Sequence, residues 1–370
     1  MLALLAAAAA FSASASNDWL SLRKRTILSV WPDGGGALPS DAVPASVTPN
    51  YRDFADVTQL VWNISCSNFS LNSTVYHSAR TVGERTDDII IHHHGHAKAC
   101  DKTLPESRCD SNRSWYDFYN VTDYYHRELG ADVAFHYMPL FGPNEQQGFP
   151  VSHTFFEPYQ QAGVATLRFF LEPVIRTINW AKAKGYKRVI MIGKSGGGWT
   201  TTLIAALDAR VALSFPIAGS ISLNFFHISW DFEQQPREAN ETWWLNEASY
   251  TMLYALATID DHGARTRSSV QVLHENDPCC FFGAHRHAGI LSYNAAVMAE
   301  LPAAGGGVFS TAISDWNQHA VCQMDRVIIA TAKQQIDAKA QAFDALPCDI
   351  LRAAALPCPY APPRANASSA

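Results

Sequence analysis

Nowhere in this 370-residue sequence does an apolar run reach the roughly 18 residues that a membrane-crossing helix needs. The end of the sequence, Asn366-Ala367-Ser368-Ser369-Ala370, is also unlike the hydrophobic tail of a lipid-anchor signal, so no stable membrane insertion is expected. A basic excess is lacking as well. Lys and Arg number 28 against 34 Asp and Glu, for a formal net charge of -6 and a pI near 6.1. Without a basic face a polyanion has nowhere to dock, and nucleic acid is not an expected partner. No internal repeat is visible. Charged residues are only 17% of the chain and apolar and aromatic ones 48%, a globular composition in a chain long enough for one large domain or two.

What is present begins with a leader. Residues 1–16 carry leucine, alanine and phenylalanine followed by small residues, an apolar stretch with a plausible cleavage site but without the usual basic start of a secretory signal. Seven Asn-x-Ser/Thr sequons, at Asn63, Asn68, Asn72, Asn112, Asn120, Asn240 and Asn366, are candidate glycosylation sites. Together with an even count of 8 cysteines they lead us to expect a secreted or secretory-pathway protein. Cys100 and Cys109 are close enough to close a small loop, and Cys348 and Cys358 could close the Pro/Ala-rich tail.

The chain is organised around residues 188–206. The apolar run Val189-Ile190-Met191-Ile192 leads into Gly193-Lys194-Ser195-Gly196-Gly197-Gly198, and helical spacing follows at Leu203, Ile204 and Leu207. Strand, glycine turn and helix in succession are the setting in which Gly-x-Ser-x-Gly presents an exposed nucleophile. Glycine is required two residues either side of the serine because side chains there would strike the neighbouring chain.

Other elements follow from periodicity. Strands are expected near Thr58 to Ile64, Ser73 to His77, Asp88 to Ile91, Ala131 to Leu140, Val211 to Ala218, Val270 to Leu273 and Val308 to Ile313. Helices are expected at Ala165 to Lys184, with Pro173 kinking it or marking a later start and Gly185 ending it, at His285 to Glu300 and at Asp325 to Ala340. The stretch from Asn17 to Asn50, rich in proline, glycine and serine, reads as an irregular lead-in, and Cys100 to Asn120 as a polar segment. Alternating strands and helices give an α/β fold, a mostly parallel sheet covered on both faces. Ser220 to Thr258 breaks that rhythm with Trp230, Trp243, Trp244, Tyr250 and Tyr254 among others, as an inserted cap would.

A serine hydroxyl needs a base to take its proton, and the base needs a carboxylate to hold its tautomer. In an open parallel sheet such groups lie beyond the carboxyl ends of strands. Asp277 follows the run 270–273 directly, with Glu275 a competing acid in the same turn, and His319 lies just beyond the run 308–313. The order Ser195, Asp277, His319, with the strand-turn-helix around the serine, resembles the α/β-hydrolase superfamily over about Thr58 to Ala340. The resemblance implies an α/β-hydrolase domain at 51–345, with the cap at 220–258 inserted after the strand that follows the nucleophile helix. The leader at 1–16, the segment 17–50 and the tail 346–370 lie outside it. It also implies an oxyanion hole made by the N–H of Gly196 and one from His94-Gly95-His96, the second donor being Gly95 or His96. If the fold is shared, a bridge from Cys322 to Cys279 or Cys280 would tie the acid and base loops together.

The expected activity is hydrolysis of carboxylic esters, with a small-molecule or polymer-attached ester as substrate. No cofactor or metal is implied. The histidines of 92–96 could instead bind a metal, but they alternate along an extended chain and cannot all face one ion without help from elsewhere. The same triad also serves serine peptidases and acyltransferases, and a non-catalytic binding protein on the same fold is the alternative of a different class.

Overall fold

A computed structural model describes residues 18–51, 54–80, 86–96, 111–221, 247–274, 296–299, 301 and 306–314. In chain order these form α1 (18–30), β1 (Ser46–Thr48), β2 (Val57–Cys66), β3 (Phe69–Ser78), β4 (Asp88–His93), α2 (Ser111–Leu129), β5 (Asp132–His136), α3 (Glu157–Gln161), α4 (Arg168–Lys184), β6 (Arg188–Lys194), α5 (Gly196–Leu207), β7 (Val211–Ile217), α6 (Tyr250–Leu256), β8 (Ser268–His274) and β9 (Phe309–Ser314). One nine-stranded sheet runs in the order β1-β2-β3-β5-β4-β6-β7-β8-β9. The β1, β2, β3 and β5 pairings are antiparallel, and every pairing from β5 through β4 to β9 is parallel. A mostly parallel sheet with helices, its chain running straight from β6 into α5 at Ser195, is the α/β-hydrolase fold.

The central strands owe their place to composition. Ile89, Ile90 and Ile91 in β4 and Val189, Ile190, Met191 and Ile192 in β6 are all fully buried. A strand apolar on both faces is stable only with helices above and below, as in a parallel sheet. β2 and β3 pair as a hairpin from Val57↔Ser78 to Cys66↔Phe69, longer than the expected pieces at both ends. The helix α4 begins at Arg168, runs through Pro173 and stops where Gly185 takes φ 94°, its N–H returning to the carbonyls of Ala181 and Lys182. A left-handed residue at that point is made cheaply only by glycine.

Two expectations are corrected. The segment 17–50 is not irregular throughout, since residues 18–30 form a helix and Ser46–Thr48 pairs with β2. Leu22, Thr26, Ile27, Val30 and Trp31 are buried at helical spacing, and Arg23 is buried among them. The guanidinium of Arg23 donates to the carbonyls of Ala206 (2.9 Å), Leu256 (3.1 Å), Asp260 (2.9 Å) and Ile259. Arg267 donates to Ala205 (2.9 Å), Asp208 (3.1 Å), Val211 (3.0 Å), Leu256 (2.6 Å) and Ile259 (2.9 Å). The last carbonyls of a helix have no intrahelical donor and carry the negative end of its dipole. Two buried cations therefore satisfy the ends of α5 and α6, and one of them comes from α1.

The second correction concerns residues 111–120. They belong to α2, so this part of the polar segment is helical. Phe118, Tyr124, Tyr125 and Leu129 are buried on that helix, so its apolar face is largely aromatic and lacks the aliphatic rhythm that marks most helices. Within the proposed cap, Tyr250 and Tyr254 on α6 are core residues. Tyr254 stacks on Phe309 of β9 at 4.9 Å, and its hydroxyl donates to Ser220 Oγ at 3.1 Å. The cap residues 222–246, the leader, the tail and the helix expected at 325–340 lie outside the described residues, as do all candidate disulfide cysteines. Cys66, in β2, is a buried free thiol.

Candidate active site

Ser195 sits at the apex between β6 and α5 with φ 56° and ψ -126°, a left-handed conformation that costs a non-glycine residue about 1–3 kcal/mol. The surroundings hold it there. Its N–H donates to the Ile217 carbonyl at the end of β7 (2.9 Å), and its carbonyl accepts from Trp199 N–H in the first turn of α5 (3.0 Å). A Cβ on Gly193 would overlap the carbonyl of Gly197, and one on Gly197 would overlap the carbonyl of His93. A Cβ on Gly198 would come within 2.5 Å of the Ile217 carbonyl oxygen. Three glycines follow the serine because α5 starts hard against both β4 and β7.

β4 lies beside β6 in parallel register, His93 opposite Gly193, so the loop leaving β4 arrives at the serine. Gly95 is pressed against it, since a Cβ there would stand 2.7 Å from Ser195 Cβ, 2.8 Å from Lys194 O and 3.3 Å from Gly196 N. Gly196 opens α5, where first-turn N–H groups have no intrahelical carbonyl and the dipole is positive. His94 N–H is already committed to His136 O (2.9 Å). Gly95 and His96 therefore supply the next N–H groups of the loop.

The four histidines of this loop go to four different neighbours. His92 stacks on Phe135 with ring centres 4.6 Å apart. His93 donates Nδ1–H to His94 O (2.9 Å) and stacks on His136 at 5.8 Å, while His94 stacks on Tyr137 at 5.9 Å. His96 Nε2 meets His153 Nδ1 at 3.0 Å. Among the described residues no group of three His, Cys, Asp or Glu side chains converges as a metal would require. His153 was not singled out from the sequence. It lies 57 positions from His96, at the start of the short 3-10 turn His153–Phe156.

Burial dominates the acid-base behaviour of the histidines beneath the site. It holds His93, and His77 in β3, at about 4 rather than near 6.5, and pushes His92 and His136 well below the ordinary value. Neither His92 Nδ1 nor His136 Nε2 has a hydrogen-bond partner, so a proton there would be buried with nothing to share it. Below pH 6.5 the unfolded chain binds protons that the folded sites refuse. Stability is thus full above pH 6.5 and falls as pH drops toward 4, by about 1.4 kcal/mol per pH unit for each such histidine. Thermal melts from pH 7.5 to 4.5 should show the melting temperature dropping through this window, with a shallower drop for His136→Phe. A melting temperature flat across it would contradict the buried neutral cluster.

The expected acid and base, Asp277 with its competitor Glu275, and His319, lie outside the described residues, as do Cys279, Cys280 and Cys322. The strands that precede them in the chain are described. β8 and β9 run parallel to β6 and end side by side, His274 opposite Ser314, with their carboxyl ends toward the same end of the sheet as Ser195. Of the sequons, Asn63 and Asn72 face each other across β2 and β3, with Asn63 Nδ2 donating to Asn72 Oδ1 at 3.0 Å on an exposed face. Asn112 and Asn120 lie on α2, and Asn240 and Asn366 are outside the described residues.

No protein-family model matches the sequence, and no curated protein matches it. Solved structures do. Est1E from Butyrivibrio proteoclasticus is 13% identical over 75% of this chain and 98% of its own, with a TM-score of 0.43. An acetyl xylan esterase from a Paenibacillus species is 11% identical over 85% of this chain and 94% of its own (TM-score 0.47). The acylaminoacyl peptidase of Pyrococcus horikoshii is 10% identical over 82% of this chain and 45% of its own (TM-score 0.45).

Proposed function

We propose that this chain is a secreted serine hydrolase that cleaves carboxylic esters through an acyl-enzyme. The observation that carries the reading is Ser195 itself, held in a strained turn at the carboxyl end of β6 with the backbone of Gly95 and Gly196 packed against it. Strain of this kind persists only where the surrounding structure enforces it. In the proposed cycle Ser195 Oγ attacks the ester carbonyl carbon while His319 takes its proton, and Asp277 orients the imidazole and stabilises its charge. The negative oxygen of the tetrahedral intermediate is held by the N–H of Gly196 and by that of Gly95 or His96. Collapse expels the alcohol, which receives the proton from His319. Water, activated by the same histidine, then releases the acid. The leader and the sequons support secretion, with glycans on some of the candidate asparagines.

A fluorophosphonate probe should label folded protein on Ser195 alone, and p-nitrophenyl esters of graded chain length should be turned over in preference to peptide anilides. Absence of a Ser195 adduct would remove the hydrolase reading. Preference for the anilides would replace the esterase by a peptidase.

A further inference from the structure

We infer that His153 is a positioning residue for the oxyanion loop, acting through His96. This rests on the hydrolase reading above, and names a part of that site which neither strand-end logic nor the elbow reveals.

The argument starts from the hydrogen bonds. His153 Nε2 lies 2.9 Å from the carbonyl oxygen of Pro139, which can only accept, so Nε2 carries the proton. In the neutral ring Nδ1 is then an acceptor, and His96 Nε2 at 3.0 Å must be the donor. The tautomers of both rings are set by one backbone carbonyl. His153 is buried, with the rings of Phe141 and Phe170 crossing its own at 4.8 Å and Phe156 6.1 Å away.

The direction of the constraint matters. Pro139 is just beyond β5 and His96 just beyond β4, so His153 ties together the loops that leave two adjacent strands. The His96 ring also reaches the elbow, its Cε1 and Nδ1 being 3.0 and 3.3 Å from where a Gly196 Cβ would be. Gly95, the residue before His96, is itself packed against Ser195. Fixing His96 at its Nε2 fixes the loop at the point where a backbone N–H has to meet the developing oxyanion. A donor about 1 Å out of place can cost about 10²-fold in rate, and a missing one about 10²- to 10³-fold. A dedicated buried histidine has that much to protect.

The test compares His153→Phe with His153→Gln. Phenylalanine suits the aromatic box but cannot accept from His96. Glutamine offers an amide oxygen to His96 and an amide N–H to Pro139. For His153→Phe, kcat on a p-nitrophenyl ester should fall about 10- to 100-fold with KM changed less than about 3-fold, and His153→Gln should recover most of it. His96→Phe breaks the same bond from the other side, and the double variant His96→Phe/His153→Phe should be no slower than the worse single one. Imidazole nitrogen NMR gives an arm that needs no turnover: wild type should show both rings protonated at Nε2, and His153→Phe should shift the His96 signals where His153→Gln restores them. Wild-type kcat in His153→Phe, or His96 signals indifferent to that change, overturns the proposal. A wild-type protein that shows the paired tautomers but forms no Ser195 adduct overturns the hydrolase reading, and with it the catalytic purpose assigned to a bond that is nonetheless present.

Discussion

Ser195→Ala should reduce kcat/KM for an ester substrate by about 10⁴- to 10⁶-fold while leaving the melting temperature within a few degrees of wild type. The size follows from chemistry. Acyl transfer through a covalent intermediate has no route without the hydroxyl, and what is left is the background reaction assisted by oxyanion donors and binding. The small effect on stability follows from geometry. Alanine inherits the same φ of 56°, and the bonds that hold the turn, Ser195 N–H to Ile217 O and Trp199 N–H to Ser195 O, are backbone bonds that survive the substitution. Steady-state kinetics and a thermal melt decide it. Turnover that persists near the wild-type rate would show that a different nucleophile is at work, while a collapsed melting temperature would show that the hydroxyl has a structural task.

Gly197→Ala should do the reverse, destabilising the fold by more than about 3 kcal/mol and losing activity along with it. A single methyl is already too large. It would overlap the backbone carbonyl of His93, which is locked in the β4–β6 pairing, and no side-chain rotation relieves a clash with backbone. Relief requires α5 to move off the sheet, which displaces Gly196 N–H and the turn that holds Ser195. Gly34→Ala is the control, because a methyl there meets only Trp31 Cβ at an ordinary 3.5 Å. Denaturant melts of the two variants should differ by most of the predicted amount. Equal stabilities would mean that the close approach of α5 to β4 is not as described.

The elbow and the parallel sheet could be read in advance because each is written in contiguous residues. An apolar run that is buried on both faces, such as Ile89 to Ile91, and a glycine pattern around one serine need no knowledge of the rest of the chain. The antiparallel hairpin was visible but too short in outline, since the polar, sequon-bearing residues 65–72 look like a wide turn, whereas the pairing continues to Cys66↔Phe69. The helix α1 was hidden for a different reason. Gly34-Gly35-Gly36 and the prolines after it dominate that stretch, and the key residue, Arg23, is a charge whose burial makes sense only once the ends of α5 and α6 are in place. α2 was obscured by its aromatic face, and Tyr250 and Tyr254, within the aromatic stretch 220–258, are buried in the main core. At the site itself, Gly95 follows a strand and is packed against Ser195, and no such pointer in the sequence leads to His153. His153 has no motif, and its meaning resides entirely in two hydrogen bonds to residues at positions 96 and 139.

The buried contacts of Arg23 also set a timetable. Its guanidinium bonds the carbonyl of Ala206, 183 positions further along the chain, and those of Leu256, Ile259 and Asp260, 233 to 237 positions further, so the full set forms only when α1 meets both α5 and the turn after α6. Contacts so distant in sequence are the slow ones to form. Until then the carbonyls of Leu256, Ile259 and Asp260 lack a donor that the finished fold gives them. Docking of α1 is therefore a late step in the folding of this domain, after the sequence-local contacts have formed.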